Sequence, residues 1–207
     1  MEIKLLQVAP LGTNCYILCD ETEQACAVVD PGGSARQIIQ TVNASGCKPC
    51  AIFLTHGHYD HTGGVADLQE EWPDVPVYLN HRDTPVDEYT MQLFPPIRGA
   101  KSYDEGDVFQ VGSLQVSVMA TPGHSEGSVV LRCEDALFCG DTLFAGSCGR
   151  TDFVGGSTKK ILASLARLAN LEGNLQVLPG HMETSTLDRE RRRNPYVLHA
   201  LSGKESF

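Results

Sequence analysis

Residues 55–61 read THGHYDH, three histidines and an aspartate within seven positions. The apolar run AIFL (51–54) leads into this stretch and Thr62-Gly63-Gly64 follows it. A short apolar run that closes on a polar, glycine-bearing segment is the pattern of a strand handing its chain to a loop or helix start. His56, His58, Asp60 and His61 all carry atoms that bind divalent metals. If strand geometry persists for two more residues, His56 and His58 share a face. Asp60 and His61 then point elsewhere, which predicts two metal positions rather than one. Gly57, Gly63 and Gly64 let the backbone turn tightly around them.

Three more ligand-capable residues repeat the device. His124 lies in ATPGHSEG after the run LQVSVMA, Asp141 in FCGDTLF after ALFCG, and His181 in LPGHMET after LQVLPG. Each stands just past a strand-like run and beside glycine, which is how strand ends assemble a site. Seven protein groups exceed the four that close a structural zinc site. Two ions sharing one carboxylate use them well, with three ligands on each side and Asp141 between. Ions about 3.5–4 Å apart can hold a hydroxide between them. The expected chemistry is hydrolytic.

Further out, short apolar runs bounded by Gly, Pro, Asn or Asp read as strands: IKLLQVA, TNCYILC, ACAVV, AIFLT, VYLN, LQVSVMA, SVVLRC, ALFCG and LQVLPG. Helical patterns run from Ser34 to Gly46 and from Ser157 to Gly173, each opening on a serine cap, with Ile38, Ile39 and Val42 on one apolar stripe and Ile161, Leu162, Leu165 and Leu168 on the other. A last helix is expected over about 187–201, broken or restarted near Asn194-Pro195. Strands dominate both halves, which predicts two sheets with helices outside. The Pro- and Gly-rich stretches 81–106 and 143–157 are expected to be functional loops, with Tyr103 and Phe153 as candidates to line a pocket.

With 207 residues, 42% hydrophobic and 20% charged, the chain has the balance of an ordinary globular protein, expected as one domain over residues 1–207. No apolar run approaches the roughly 20 residues of a membrane span. The opening MEIKLLQVAPLGTNCY has too short an apolar stretch for a signal peptide, so a cytoplasmic location is expected, with no membrane partner. A net charge of −10 disfavours nucleic acid. The one basic run, RERRR at 189–193, reads as a solvated helix face with Asp188 and Arg192 four apart. Eight cysteines without a secretory context read as free thiols, and the lone CxxC at Cys47-Lys-Pro-Cys50 is a weak metal or redox signal. His81 reads as a surface residue, His199 as helix packing and Trp72 as packing at a helix end.

The HxHxDH signature with its isolated His, Asp and His resembles the metallo-β-lactamase superfamily, whose fold is a four-layered αββα sandwich. Within it, THGHYDHTGG and GDTLFAGSCGRTDF resemble glyoxalase II (hydroxyacylglutathione hydrolase) and its relatives, from DPGG at 30–33 through PGH at 179–181. The resemblance implies a first metal on His56, His58 and His124, a second on Asp60, His61 and His181, and Asp141 bridging. It implies that Asp30 supports the site without ligating, as an acceptor for a histidine N–H. The implied cofactor is two divalent metal ions, zinc by default, with iron or manganese also suited. Residues 182–207 are few for the glutathione-gripping region of glyoxalase II, and HMETST replaces that family's HEYT. Arg150 stands where the family has a lysine that holds glutathione's carboxylate, which makes it the candidate substrate-binding residue, with a salt bridge to Asp152 or to the surroundings of Asp141 as the alternative. The chain thus resembles a short stand-alone form.

The expected reaction is hydrolysis of a small-molecule thioester by a metal-bridging hydroxide, with Asp60 steering its proton. A thiolate leaves without a dedicated acid. A lactonase shares all seven ligands, and a persulfide dioxygenase shares CGRTD (148–152) but uses one iron. A β-lactamase usually lacks the bridging carboxylate, a nuclease needs a basic face, and a metal-storage module needs no open position.

Overall fold

Thr13–Asp20 is buried along its whole length, and its side chains alternate between two cores. Tyr16 and Leu18 enter one core, while Cys15, Ile17 and Cys19 enter another. A strand covered on both faces reads as a continuous apolar run rather than an alternating one. The computed structural model describes residues 1–85 and 87–203.

The first sheet pairs β1 (Glu2–Val8), β2 (Thr13–Asp20), β3 (Ala25–Val29), β4 (Lys48–Phe53) and β5 (Val77–Tyr78) in that order. Three helices belong to this half: α1 (Ala35–Ser45), the single turn α2 (Tyr59–Thr62) and α3 (Val65–Glu71). A 3-10 turn at His81–Asp83 and α4 (Glu88–Leu93) lead to the second sheet. This half adds β6 (Val108–Val111), β7 (Leu114–Ala120), β8 (Val129–Cys133), β9 (Ala136–Gly140), the hairpin β10 (Leu143–Phe144) with β11 (Ser147–Cys148), α5 (Thr158–Ala169), β12 (Gln176–Pro179), β13 (Ser185–Thr186), α6 (Leu187–Arg193) and α7 (Pro195–Ser202). Its strand order is β13-β12-β9-β8-β7-β6.

Three cores separate four layers. Phe53 and Val29 of the first sheet meet Val118, Leu131 and Phe138 of the second. Ile17, Val28 and Ile52 pack outward on Ile38 and Val42 of α1 and on Val65 and Leu68 of α3. Val130 and Leu137 pack on Ile161, Leu165 and Leu168 of α5 and Val197 of α7. Each such buried side chain contributes about 1.5–3 kcal/mol relative to exposure. The chain is therefore an αββα sandwich, as expected.

β3 runs parallel to β4, and β9 parallel to β12, so each pair delivers its C-terminal ends to one edge. In sheets of this kind ligands bind beyond those ends. The two sheets are tied there by β2: Asn14 Nδ2 donates to Pro179 O at 3.0 Å and Met182 O at 2.9 Å, and Tyr16 OH donates to Pro179 O at 2.8 Å.

Several expectations need correction. Ser157 caps α5 by accepting from Lys160 N, but Ser34 does not cap α1: its hydroxyl accepts from Ala9 N–H at 3.1 Å. Gly46 ends α1 in the left-handed region, as expected. The stretches 81–106 and 143–157 are not loops throughout: the first holds the 3-10 turn and α4 but, among its described residues, no strand, and the second holds the β10–β11 hairpin. Tyr103 does not line the cavity; it is buried between the sheets and donates to Leu54 O at 2.6 Å. The basic run is not simply a solvated face. Glu190 is buried and accepts from Gly146 N at 2.7 Å and Asn194 Nδ2 at 2.9 Å. Arg191, rather than Arg192, pairs with Asp188, and it also donates to Ala169 O at the end of α5 and to Gly173 O beyond it. All eight cysteines are free thiols; the Cys47 and Cys50 sulfurs lie against different carbonyls, those of Asp20 and Cys26. His81 is exposed beside Ser102, His199 is half-buried on α7, and Trp72 closes α3 against the outer core. Among the described residues, no helix is long and apolar enough to cross a membrane.

Candidate metal centre

Beyond β4 strand geometry does not persist as expected: the chain bends at Thr55-His56, is extended at His58, and then enters α2. His56 and His58 therefore project from the loop that joins β4 to α2, while Asp60 and His61 ride the following helical turn. Gly57 is required here: a Cβ would lie 2.6 Å from Asp83 O and 2.9 Å from Asp83 Cβ. His124 arrives from the loop between β7 and β8, Asp141 from the end of β9 and His181 from the end of β12. All seven residues singled out by the sequence converge. Three sets have donor atoms within 4.8 Å of one another: His56, His58, His124; His56, His61, Asp141; and Asp60, His61, His181.

Neighbours orient the rings. His61 Nδ1–H donates to Asp30 Oδ2 at 3.0 Å, leaving Nε2 to face Asp141 Oδ1 at 3.3 Å. His124 Nδ1–H donates to Arg150 O at 2.8 Å, leaving Nε2 3.5 Å from Asp141 Oδ2. The Thr55 hydroxyl donates to Asp30 Oδ2 at 2.7 Å and so accepts from His56 Nδ1–H at 3.2 Å. Three rings thus present Nε2 lone pairs, whereas His58 presents Nδ1, 2.9 Å from His124 Nε2. Such outer partners fix tautomers in metal sites. Asp30, expected as this kind of support, serves two of the rings.

The electrostatics fit a cation. Burial, then the neighbouring histidines, pushes His56 well down and His58 to about 3, so both rings are neutral with lone pairs available. Burial also opposes charge on His61, but Asp30 and Asp141 outweigh it and raise this ring: the carboxylates favour positive charge here. Burial pushes the Asp141 carboxyl up, yet His61, His124 and His181 hold it well below the usual range. Asp60 is likewise lowered against burial by His181, whose Nε2 lies 3.1 Å from Asp60 Oδ2. His56 Nε2, His58 Nε2 and Asp141 Oδ1 are buried without a hydrogen-bond partner. An orphaned buried polar atom costs about 1–3 kcal/mol, and coordination removes that cost for His56 Nε2 and Asp141 Oδ1. The donor set fits divalent metal.

Asp83, not foreseen from the sequence, ties the two histidine loops together. It is buried and accepts from Gly57 N at 3.0 Å, Ser125 Oγ at 2.6 Å and Gly127 N at 2.6 Å. Burial raises its carboxyl above the ordinary value despite these donors. Asn80, Arg82 and Asp83 sit in a turn without motif character, so only the fold reveals the contact.

A cavity of about 620 Å³ opens over the centre. Its floor includes His58, Asp60, His124, Asp141 and His181, and Leu11, Leu93, Phe144 and Phe153 make apolar walls. Arg150 reaches the cavity, but its guanidinium pairs with Asp152 through two bonds of 2.6 Å.

Residues 8–181 match the metallo-beta-lactamase superfamily profile. With this match, the αββα fold and the His/Asp cluster, the chain belongs to the metallo-β-lactamase superfamily, whose members bind divalent metals. It is 34% identical to the probable metallo-hydrolase YqgX of Bacillus subtilis, over 95% of this chain and 98% of that one. It is 33% identical to a hydroxyacylglutathione hydrolase of Yersinia pestis, over 88% of this chain and 67% of the relative. Among solved structures, the BLEG-1 B3 metallo-beta-lactamase superposes with a TM-score of 0.85 at 31% identity, covering 95% of this chain and 99% of that one. TTHA1623 in a di-iron-bound form superposes with a TM-score of 0.81 at 35% identity, covering 93% and 99%.

Proposed function

We propose that the chain is a dinuclear metal-dependent hydrolase of small thioesters, related in chemistry to hydroxyacylglutathione hydrolase. The observation that carries this reading is the position of Asp141. Its Oδ1 faces His61 at 3.3 Å, while its Oδ2 faces His124 at 3.5 Å and His181 at 3.7 Å, so one carboxylate lies between the two histidine groups. His56, His58 and His124 would hold one ion, Asp60, His61 and His181 the other, with Asp141 shared. When bound, two such ions acidify water and polarise a carbonyl oxygen. Zinc suits this donor set, and the di-iron form of TTHA1623 makes iron the alternative.

The remaining steps fall to the chain. Asp60, on the cavity floor and kept ionised, takes the proton of the attacking water. The apolar walls hold the acyl-thiol group and limit competing water. A C–O bond forms as the C–S bond breaks; the thiolate leaves, and Asp60 gives up its proton, which reaches the thiolate through solvent, giving carboxylic acid and thiol and restoring the Asp60 carboxylate. A thiol pKa of about 8.5 makes a dedicated acid unnecessary.

The test is metal content and turnover, on a panel of thioesters, lactones, persulfides and a β-lactam, for wild type and Asp141→Ala. Wild type should carry two metals per chain and prefer thioesters. Asp141→Ala should loosen both ions and lower thioester hydrolysis by about 10²-fold or more, since even outer-shell losses cost 10–100-fold. A variant retaining two metals and near-native turnover would sink the bridging role. A single iron with oxygen uptake on a persulfide would replace the hydrolase by a dioxygenase.

A further inference from the structure

Arg150 is the one lysine or arginine among the described residues lining the cavity, and so the one permanent cation there for an anionic substrate group. Its Nε and one terminal nitrogen donate to the two oxygens of Asp152, each at 2.6 Å. This is the bidentate fork that an arginine offers a carboxylate. The same guanidinium lies over the Phe153 ring, 4.0 Å from its centroid, and Phe153 in turn meets His58 edge-on at 5.7 Å. The pair therefore props an aromatic wall beside the metal centre. Asp152 stays ionised throughout the neutral range, since the Arg150 hydrogen bonds bring its carboxyl down to about 2. Leu11, Leu93 and Phe144 continue the apolar surface, and the chain's net charge of −10 disfavours an approaching anion.

We propose that the cavity selects substrates whose arm along the Phe153 wall is uncharged, because Asp152 occupies the carboxylate-binding fork of Arg150. Asp152 is thus a specificity-determining residue: it turns a cation into a neutral, aromatic-backed surface. The proposal deepens the thioesterase reading by naming the carrier class, a thiol without a carboxylate at this position, and it rests on that reading only for the bond cleaved.

The test is a binding cycle that needs no turnover. Two thioethers, hydroxypropyl derivatives of mercaptopropionate and of its carboxamide, are titrated calorimetrically into the metal-loaded protein. Either can contact the metals, so the readout is how mutation changes the ratio of the two affinities. Asp152→Asn should strengthen the carboxylate ligand about three- to fivefold, as expected for an exposed charge pair, and leave the carboxamide unchanged. Arg150→Ala should leave the ratio as it is in wild type, yet abolish the gain in the Asp152→Asn background. An Arg150→Ala single variant that selectively weakens the carboxylate ligand would overturn the proposal. So would an unchanged ratio in Asp152→Asn, or no binding of either ligand. Matched thioesters assayed in parallel keep the two readings apart: absent hydrolysis with the expected cycle defeats the thioesterase alone.

Discussion

Asp83 shows how a residue without a ligand role can decide whether a site forms. Its three donors come from both loops that carry His56, His58 and His124. Asp83→Ala leaves the Gly57 and Gly127 N–H groups unpaired in a buried place, while Ser125 keeps Ser128, with an expected stability loss of about 2–4 kcal/mol. Asp83→Asn retains one acceptor oxygen, so it should fold while letting the loops drift. Metal affinity should then drop by about 10–100-fold, the range for outer-shell partners. Chelator competition measures this directly, and an Asn variant with native metal affinity would remove the positioning role. The contrast with the seven candidate ligands has a physical cause. Ligands cluster at strand ends beside glycine, so their spacing is visible along the chain. Asp83 acts across 42 to 44 positions on Ser125 and Gly127, and nothing local marks it.

At the scale of elements, the strands were legible because burial on both faces makes long apolar runs, as in β2. The two-residue strands β5, β10, β11 and β13 have no such signature. Of these, β5 is read only through the wider run VYLN, while β10, β11 and β13 are too short to leave a pattern; the four-residue β6, with Val108 and Gln110 exposed, also lacks a recognisable apolar run. A second tie between the sheets was also hidden. Asp20, at the end of β2, accepts from Ser113 N at 2.7 Å and Ser113 Oγ at 2.6 Å in the β6–β7 turn, and from Thr22 N at 2.9 Å. The Ser113 hydroxyl, then these backbone donors, hold its carboxyl well below the ordinary range. A depressed folded pKa means the contribution is present above the unfolded value of about 3.9 and is lost as pH falls through the folded value. Asp20→Asn should melt about 2–4 °C below wild type at pH 7. That gap should narrow as pH drops from about 5 to 3, because acid neutralises only the wild-type carboxylate. Melting curves across this range check it, and a gap constant with pH would assign the effect to packing.

For the whole molecule, the metal centre lies on the seam between the halves. His56, His58, Asp60 and His61 follow the first sheet's β4, while His124, Asp141 and His181 follow strands of the second. Each proposed ion takes ligands from both sides, so coordination should hold the sandwich together as well as serve chemistry. Anything that binds the folded state alone stabilises it by RT ln(1 + [L]/Kd), about 2.7 kcal/mol at a hundredfold excess over Kd. For a chain of this length that corresponds to about 5–11 °C in melting temperature. Chelation should therefore lower the melting temperature by this order for each ion lost, and one equivalent of metal should restore only part of the fall. The second equivalent should complete the recovery, since each ion closes its own pair of loops. The ligand variants supply the control. His181→Ala removes a donor from the second position and should cap the recovery at its first stage, and His124→Ala should do the same from the other side. Differential scanning calorimetry with stepwise metal addition reads these stages. A melting temperature indifferent to chelation would mean that the ions, wherever they sit, do not join the two sheets.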